Sequence, residues 1–292
     1  MAKSIGMIGI GLMGHGIAYN IARANYPLTV LDHPGNQPLD ELVAMKVKVV
    51  QTITEVVQNS DLLILCVTGA PQVESIILGD QGIVASLQPG TIVIDCSTSL
   101  PDTSRRVAAK IIEKGGSFLD AAMTRLPVHA RAGTLNLLVG GEHISLQQAR
   151  SVLECFSENI THIGEVGSGH LMKLLHNYVS IGMVTLLGEV AAHAKKAGIS
   201  AELLIDVLSK GGGGGIALQR IAPYLMTGDA QNMAFTINNA AKDLAYYETA
   251  AEAAGVYKQI ASSIAATLQN LASEGYGDAY VPELVSLLKK DE

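Results

Sequence analysis

The run SIGMIGIGLMGHGIAYNIARANYPLTVLDH near the N-terminus constrains the fold more than any other segment. Gly9-x-Gly11-x-x-Gly14 follows an apolar, strand-like stretch and opens a helical pattern. Each glycine answers a separate steric demand: a tight turn, close approach of backbone to a pyrophosphate, and close helix–strand packing. Leu12 and Met13 lie between them in the first turn of that helix, whose free N–H groups and positive dipole end face a phosphate. Asp32 closes the second strand-like run, 18 residues after Gly14. A carboxylate there accepts hydrogen bonds from the adenosine ribose and repels a 2′-phosphate. No arginine occupies residues 33–38 to receive such a phosphate, so the expected cofactor is NAD rather than NADP.

The same alternation continues through the first half of the chain. Strand-like runs stand at 4–10, 28–32, 47–50, 62–67, 91–96, 117–123 and 135–140, with helical patterns at about 13–25, 71–78 and 101–114. Near-continuous apolar strands separated by helices predict a parallel sheet buried on both faces. After Gly164 the strand signals largely disappear, and VGSGHLMKLLHNYVSIGMVTLLGEVAAHAKKAG has helical periodicity. The expected organisation is an α/β Rossmann domain over 1–164 and an all-helical domain over 165–292. At 292 residues two domains are favoured, because single cores stop growing near about 250–300 residues.

Composition excludes several classes. Hydrophobic residues make up 48% of the chain and charged residues 16%, which rules out a disordered protein. The formal net charge of −7 argues against nucleic acid, whose binding requires a basic face. Cys66, Cys96 and Cys155 show no metal-type spacing and leave an odd count, so they are read as reduced thiols of a cytosolic protein, with Cys66 and Cys96 as small core residues at strand ends. The apolar N-terminus is broken by motif glycines and lacks a cleavage site, against a signal peptide. Leu171 to Leu187 contains Lys173, His176 and Asn177, which disqualifies it as a membrane span. The Gly211–Gly215 run is read as a mobile loop.

Within the helical half, residues three and four apart share a face, so His170, Lys173 and Asn177 form one polar stripe. Lys173 is the single formally charged side chain between 171 and 187. A helix apolar nearly all round is expected to be buried, and a buried lysine requires a partner or a use. Desolvation disfavours its ammonium form and suits it to donate and accept protons near neutral pH. Asn177 is positioned to hold a substrate hydroxyl or the lysine. His170 reads as a satisfied loop-to-helix histidine, and His176, off the stripe, as structural.

GIGLMG, DCSTSLP (95–101), FLDA…GTL (118–135), GxGxxxKxxxN (Gly167 to Asn177) and KDL (242–244) occur in order and span the whole chain. Together they resemble the β-hydroxyacid dehydrogenase family, which includes 3-hydroxyisobutyrate dehydrogenases, tartronate semialdehyde reductases and sulfolactaldehyde reductases. The resemblance implies a site in the cleft between a Rossmann domain and a helical domain, the latter also serving oligomerisation as a homodimer or homotetramer. Lys173 is then the catalytic acid/base and Asn177 orients the substrate. Val67 and Thr98 lie by the cofactor, with Thr98 near the nicotinamide. Lys242 closes over substrate and cofactor from the second domain; without the resemblance, Lys242 and Asp243 read equally as an exposed helical pair.

One stretch departs from the family pattern. Most members follow the FLDAP-V strand with Ser-Gly-Gly, whose hydroxyl and bare amides grip the substrate carboxylate. This chain has Thr124-Arg125-Leu126. Thr124 keeps the hydroxyl, while Arg125 offers a planar fork for a carboxylate or sulfonate, as in the sulfolactaldehyde reductase branch. Pro127 stiffens the turn, and Arg131 is expected to face solvent. The leading expectation is an NAD-dependent oxidoreductase interconverting a small anionic hydroxy acid (3-hydroxyisobutyrate-like, glycerate-like or a dihydroxypropanesulfonate) and its semialdehyde. An imine reductase shares the layout but lacks the lysine, and a non-catalytic NAD-binding protein would not need the Lys173–Asn177 stripe.

Overall fold

A computed structural model describes residues 3–288. It divides into two compact units, Met1–Lys173 and Leu174–Glu292. The first is built on β1 (Ile5–Ile8), α1 (Leu12–Arg23), β2 (Leu28–Leu31), α2 (Asp40–Ala44), β3 (Lys48–Val50), α3 (Ile53–Gln58), β4 (Leu62–Leu65), α4 (Ala70–Leu78), α5 (Ile83–Ser86) and β5 (Ile92–Asp95). It continues with α6 (Pro101–Glu113), β6 (Ser117–Thr124), α7 (Pro127–Ala132), β7 (Leu135–Gly141), α8 (His143–Leu153) and β8 (Ser157–Gly164). The strands form one sheet in the order β3-β2-β1-β4-β5-β6-β7-β8.

Alternation along each strand explains why both sheet faces are covered. Ile5, Met7, Leu62, Ile64, Ile92 and Ile94 join one buried cluster, while Ile8, Leu63, Leu65 and Val93 join another. Successive side chains point to opposite faces, so an uninterrupted apolar run seals a sheet on two sides.

The sheet departs from the expected pattern in two ways. The sheet is not wholly parallel, because β7 runs antiparallel to β6; the ten-residue connection between them holds only the short α7, less than a parallel crossover requires. An eighth strand also exists. β8 (SENITHIG) pairs with β7 alone and is largely exposed, so it carries polar residues and no apolar run. The short helices α2, α3, α5 and α7, together with α8, likewise join elements that periodicity picks out.

The second unit is helical. It holds most of α9 (Ser168–Lys196), then α10 (Ala201–Ser209), α11 (Ile216–Thr227), α12 (Ile237–Ala253), α13 (Gln259–Leu271) and α14 (Leu284–Leu287). Ile181, Val184 and Ala191 of α9 pack with Ile221, Leu244, Leu268 and Leu284 in its core. By length and composition alone, α9 (29 residues, mean hydropathy 1.2 in its most apolar stretch) suits a membrane span as well as a core helix. It is not buried all round, contrary to expectation. Met172, Leu175, Val179, Met183, Leu186 and Val190 form an exposed apolar stripe at helical spacing.

Candidate active site

The glycine loop lies where β1 and β4 adjoin, the point at which strand order reverses and ligands of open α/β sheets bind. Gly9 has φ +93°, and a Cβ there would meet the Cys66 carbonyl oxygen at 2.3 Å. At Gly14 a Cβ would lie 1.9 Å from the Gly9 carbonyl oxygen, so helix and turn pack closer than any side chain permits. At Gly11 it would meet nothing within 4 Å, leaving that face open to a ligand. No side chain caps α1, and its first N–H groups, on Leu12, Met13 and Gly14, have no intrahelical acceptor. Asp32 is exposed just past β2; Gln51 Nε2 donates to its Oδ2 at 3.0 Å. Asn36 buttresses the loop by accepting from Ile10 N and donating to the Leu31 carbonyl. These residues fit a dinucleotide: open N–H groups for a pyrophosphate and a carboxylate for a ribose.

Past β5 the chain turns through Cys96 to Leu100 before α6. Ser97 N donates to Asp95 Oδ1 at 2.9 Å, and Val67 N donates to Ser97 Oγ at 3.0 Å. The half-buried Thr98 is thereby held between two strand ends. Cys96 is buried and Cys66 half-buried, both free thiols.

Asp120, fully buried in β6, governs the start of α9. Its Oδ1 accepts from Gly167 N at 2.7 Å and its Oδ2 from His170 N at 2.8 Å. A carboxylate from a distant strand thus does what a side chain at the helix's own N-cap ordinarily does. Burial pushes the Asp120 carboxyl up, opposed by His170 and by these N–H donors. Gly169 makes the approach possible, since a Cβ there would lie 2.4 Å from the Leu138 carbonyl oxygen. Lys173 follows one turn later and is half-buried rather than buried, because the helix face around Leu171, Met172 and Leu175 is open. His170 is the satisfied histidine expected, fully buried with both ring nitrogens in contact.

At the end of β6, Thr124 is buried, and Asn136 Nδ2 donates to its Oγ1 at 3.1 Å. Asn159 Nδ2 in turn donates to Asn136 Oδ1 at 2.9 Å. With one lone pair of Thr124 occupied by Asn136, its O–H hydrogen is left to donate elsewhere. Arg125 sits at φ +82°, a conformation natural to glycine. Its Nη1 bonds the Thr134 carbonyl oxygen and Glu158 Oε2, the latter at 2.5 Å. The fork expected to receive a substrate anion therefore has a carboxylate partner within the chain, because the edge strand β8 brings Glu158 beside it. Arg131 is exposed but not idle, pairing with both Glu41 oxygens at 2.7 and 2.6 Å and lying 3.4 Å from the Tyr19 ring centroid. That contact holds the Glu41 carboxyl below its ordinary value.

In the second unit, Asn177 is buried and its Nδ2 donates to Asp243 Oδ2 at 2.6 Å. His176 Nδ1 lies 2.9 Å from Asn177 Oδ1. Lys242 Nζ pairs with Asp243 Oδ1 at 3.0 Å and stands 5.4 Å from the Tyr246 ring centroid. Asp243 is only 2% exposed, so the exposed-pair reading of Lys242 and Asp243 fails.

Residues 4–164 match the family described as the NAD binding domain of 6-phosphogluconate dehydrogenase. Residues 167–288 match that described as NAD-binding of NADP-dependent 3-hydroxyisobutyrate dehydrogenase. The chain belongs to the β-hydroxyacid dehydrogenase family. It is 31% identical over 284 residues to an NAD-dependent L-serine dehydrogenase of Pseudomonas aeruginosa, covering 94% of each chain. It is 32% identical over 220 residues to a 3-hydroxyisobutyrate dehydrogenase of the same organism, covering 75% of this chain and 74% of that one. Among solved structures, Mycobacterium tuberculosis 3-hydroxyisobutyrate dehydrogenase with L-serine superposes with TM-score 0.89 at 27% identity, covering 99% of this chain and 100% of that one.

As a β-hydroxyacid dehydrogenase the protein is an NAD(P)-dependent oxidoreductase. The nicotinamide, when bound, supplies the hydride acceptor or donor. The chain's own task is to hold a hydroxy acid and move its proton. Several residues that make these contacts have no role readable from motif alone: Asp95, Asp120 and Asp243 lie inside motif segments, whereas Ser104, whose Oγ is 2.6 Å from His170 Nδ1, and Asn136 lie outside them. Two of them carried a signal, since an aspartate inside the apolar runs TIVIDC or SFLDAAM is costly to bury without a purpose.

Proposed function

We propose that the protein is an NAD-preferring dehydrogenase of short β-hydroxy carboxylic acids, 3-hydroxyisobutyrate-, glycerate- or serine-like, interconverting each with its semialdehyde. In the oxidative direction the Lys173 amine takes the hydroxyl proton as hydride leaves the carbon bearing that oxygen; in reduction the ammonium returns it. Asn177 orients the substrate, its amide held by Asp243. Thr124 donates its free O–H hydrogen to the substrate carboxylate together with neighbouring backbone N–H groups. Val67 and Thr98 border the nicotinamide, and Lys242 serves substrate and cofactor. Asp32 favours NAD by occupying the position of a 2′-phosphate.

The observation that carries this reading is the role of β6. Its Asp120 caps the helix bearing Lys173, and four residues on it presents the buried Thr124 hydroxyl. A carboxylate is favoured over a sulfonate because Arg125, the extra cation of this loop, is neutralised by Glu158. The exposed stripe on α9 supports a homo-oligomer, since contiguous apolar surface of this kind marks an interface.

Purified protein offered C3–C5 β-hydroxy carboxylates, serine and dihydroxypropanesulfonate with NAD or NADP, followed by nicotinamide absorbance, tests the proposal. A β-hydroxy carboxylate with NAD should give the highest kcat/KM. A sulfonate as best substrate, or cyclic-imine reduction with no hydroxy-acid turnover, would overturn it.

A further inference from the structure

We infer that His170 is a positioning residue that sets the distance between the turn carrying Thr98 and the helix carrying Lys173. The inference rests on the proposed roles of those two residues. His170 lies in the first turn of α9, three residues before Lys173, and is fully buried. Its Nε2 is 3.2 Å from the Ser97 carbonyl oxygen, the peptide oxygen immediately before Thr98. Its Nδ1 is 2.6 Å from Ser104 Oγ in the first turn of α6. A carbonyl only accepts, so Nε2 carries the hydrogen; in the neutral ring Nδ1 then accepts from the Ser104 hydroxyl. Asp95 Oδ2, also fully buried, lies 3.8 Å from Nε2 and favours a hydrogen at that nitrogen.

One rigid ring therefore bridges the start of the Ser97–Leu100 turn and the first turn of α6 that follows it, while its own backbone N–H is pinned to β6 through Asp120. Ser97 is in turn tied to Asp95 and to Val67. The end of β5, the turn after it and helix α6 meet helix α9 at this imidazole, so its removal frees the turn to shift relative to Lys173, which the backbone bond to Asp120 keeps in place. Misplacement of reacting groups by about 1 Å lowers rates by about 10²-fold. Such a loss falls mainly on the chemical step, because the pyrophosphate and ribose contacts of the cofactor come from the glycine loop and Asp32, which the ring does not touch.

The test compares His170→Met, which fills the space without a donor, with His170→Gln, whose Nε2 can still donate to the Ser97 carbonyl. Readouts are kcat, KM, NAD affinity by fluorescence titration, and the primary deuterium isotope effect with substrate labelled at the hydroxyl-bearing carbon. Expected for His170→Met is a kcat reduced about 30- to 100-fold, NAD affinity and KM within about threefold, and a larger isotope effect as hydride transfer becomes limiting. His170→Gln should recover much of the kcat. A histidine that only stabilises the fold would lower the melting temperature while leaving kcat per folded site and the isotope effect unchanged, and that result would overturn the inference. Should His170→Met not fold, Ser104→Ala removes the Nδ1 partner together with only the longer 3.3 Å contact of that hydroxyl to the Leu100 carbonyl; it should move kcat and isotope effect in the same direction, and wild-type values for both would be equally fatal. Lys173→Ala assayed in parallel separates the two ideas. Retained activity there defeats the lysine reading, whereas an inactive Lys173→Ala beside a kinetically normal His170→Met defeats only the positioning role.

Discussion

Replacing Arg125 by glycine should cost less stability than replacing it by alanine, the reverse of the usual order. Arg125 holds φ +82°, where a side chain costs about 1–2 kcal/mol that glycine does not incur. Glycine loses about 0.5–1 kcal/mol through the greater freedom of its unfolded chain, which leaves it ahead of alanine by about 0.5–1 kcal/mol. Both variants lose the Glu158 ion pair, whose partners are 29% and 54% exposed and whose contribution is about 0–1 kcal/mol. The Gly variant should therefore melt about 1–3 °C above the Ala variant by calorimetry or dichroism. Activity supplies the second arm. The guanidinium reaches from β6 across the start of β7 to β8, about two strand spacings or ~10 Å, away from β5 and Thr98. Both variants should keep kcat/KM for the best hydroxy acid within about threefold. An alanine variant more stable than the glycine variant would refute the backbone argument. A loss beyond about 30-fold in kcat/KM at unchanged melting temperature, about 2 kcal/mol of transition-state binding, would return Arg125 to the substrate.

Lys173→Ala should lower kcat by about 10²- to 10⁴-fold with NAD affinity unchanged by titration, the range for a positioned acid/base; near-wild-type kcat would show that the lysine is structural. NAD should exceed NADP by at least about tenfold in kcat/KM, about 1.4 kcal/mol, and Asp32→Ala should narrow that margin. Burial, reinforced by the Asp95 carboxylate, pushes the Cys66 thiol up to about 12 from an ordinary 9.0. Above pH 9 the unfolded chain releases this proton before the folded one does, so the stability it contributes is complete below that pH and is lost as pH rises toward 12. Urea midpoints at pH 8 and 10.5 should fall further for wild type than for Cys66→Ala, and equal falls would refute this assignment. Leu186→Asp, in the exposed stripe of α9, should shift a sedimenting oligomer toward monomer without unfolding the protein.

The sequence by itself determined whatever depends on neighbours in the chain. The turn at Gly9, the uncapped start of α1, the apolar strands and the helical second half all follow from spacings of a few residues, and so does the placing of Lys173 and Asn177 one turn apart on α9. Tertiary structure alone decided what those residues meet. Asp120 caps a helix that starts 48 residues later in the chain, and His170 reaches back 73 residues to Ser97. Arg125 is paired with Glu158, 33 residues away on a strand with no apolar signature. Asn177 is held by Asp243 from 66 residues off, in a lysine–aspartate pair that alone reads equally well as exposed surface. Hydrophobic periodicity records which face of an element is buried, because burial acts on each side chain separately. A hydrogen bond or ion pair needs two particular groups at one distance and angle. No local pattern encodes that pairing, and it exists only once the sheet order and the helix positions are set.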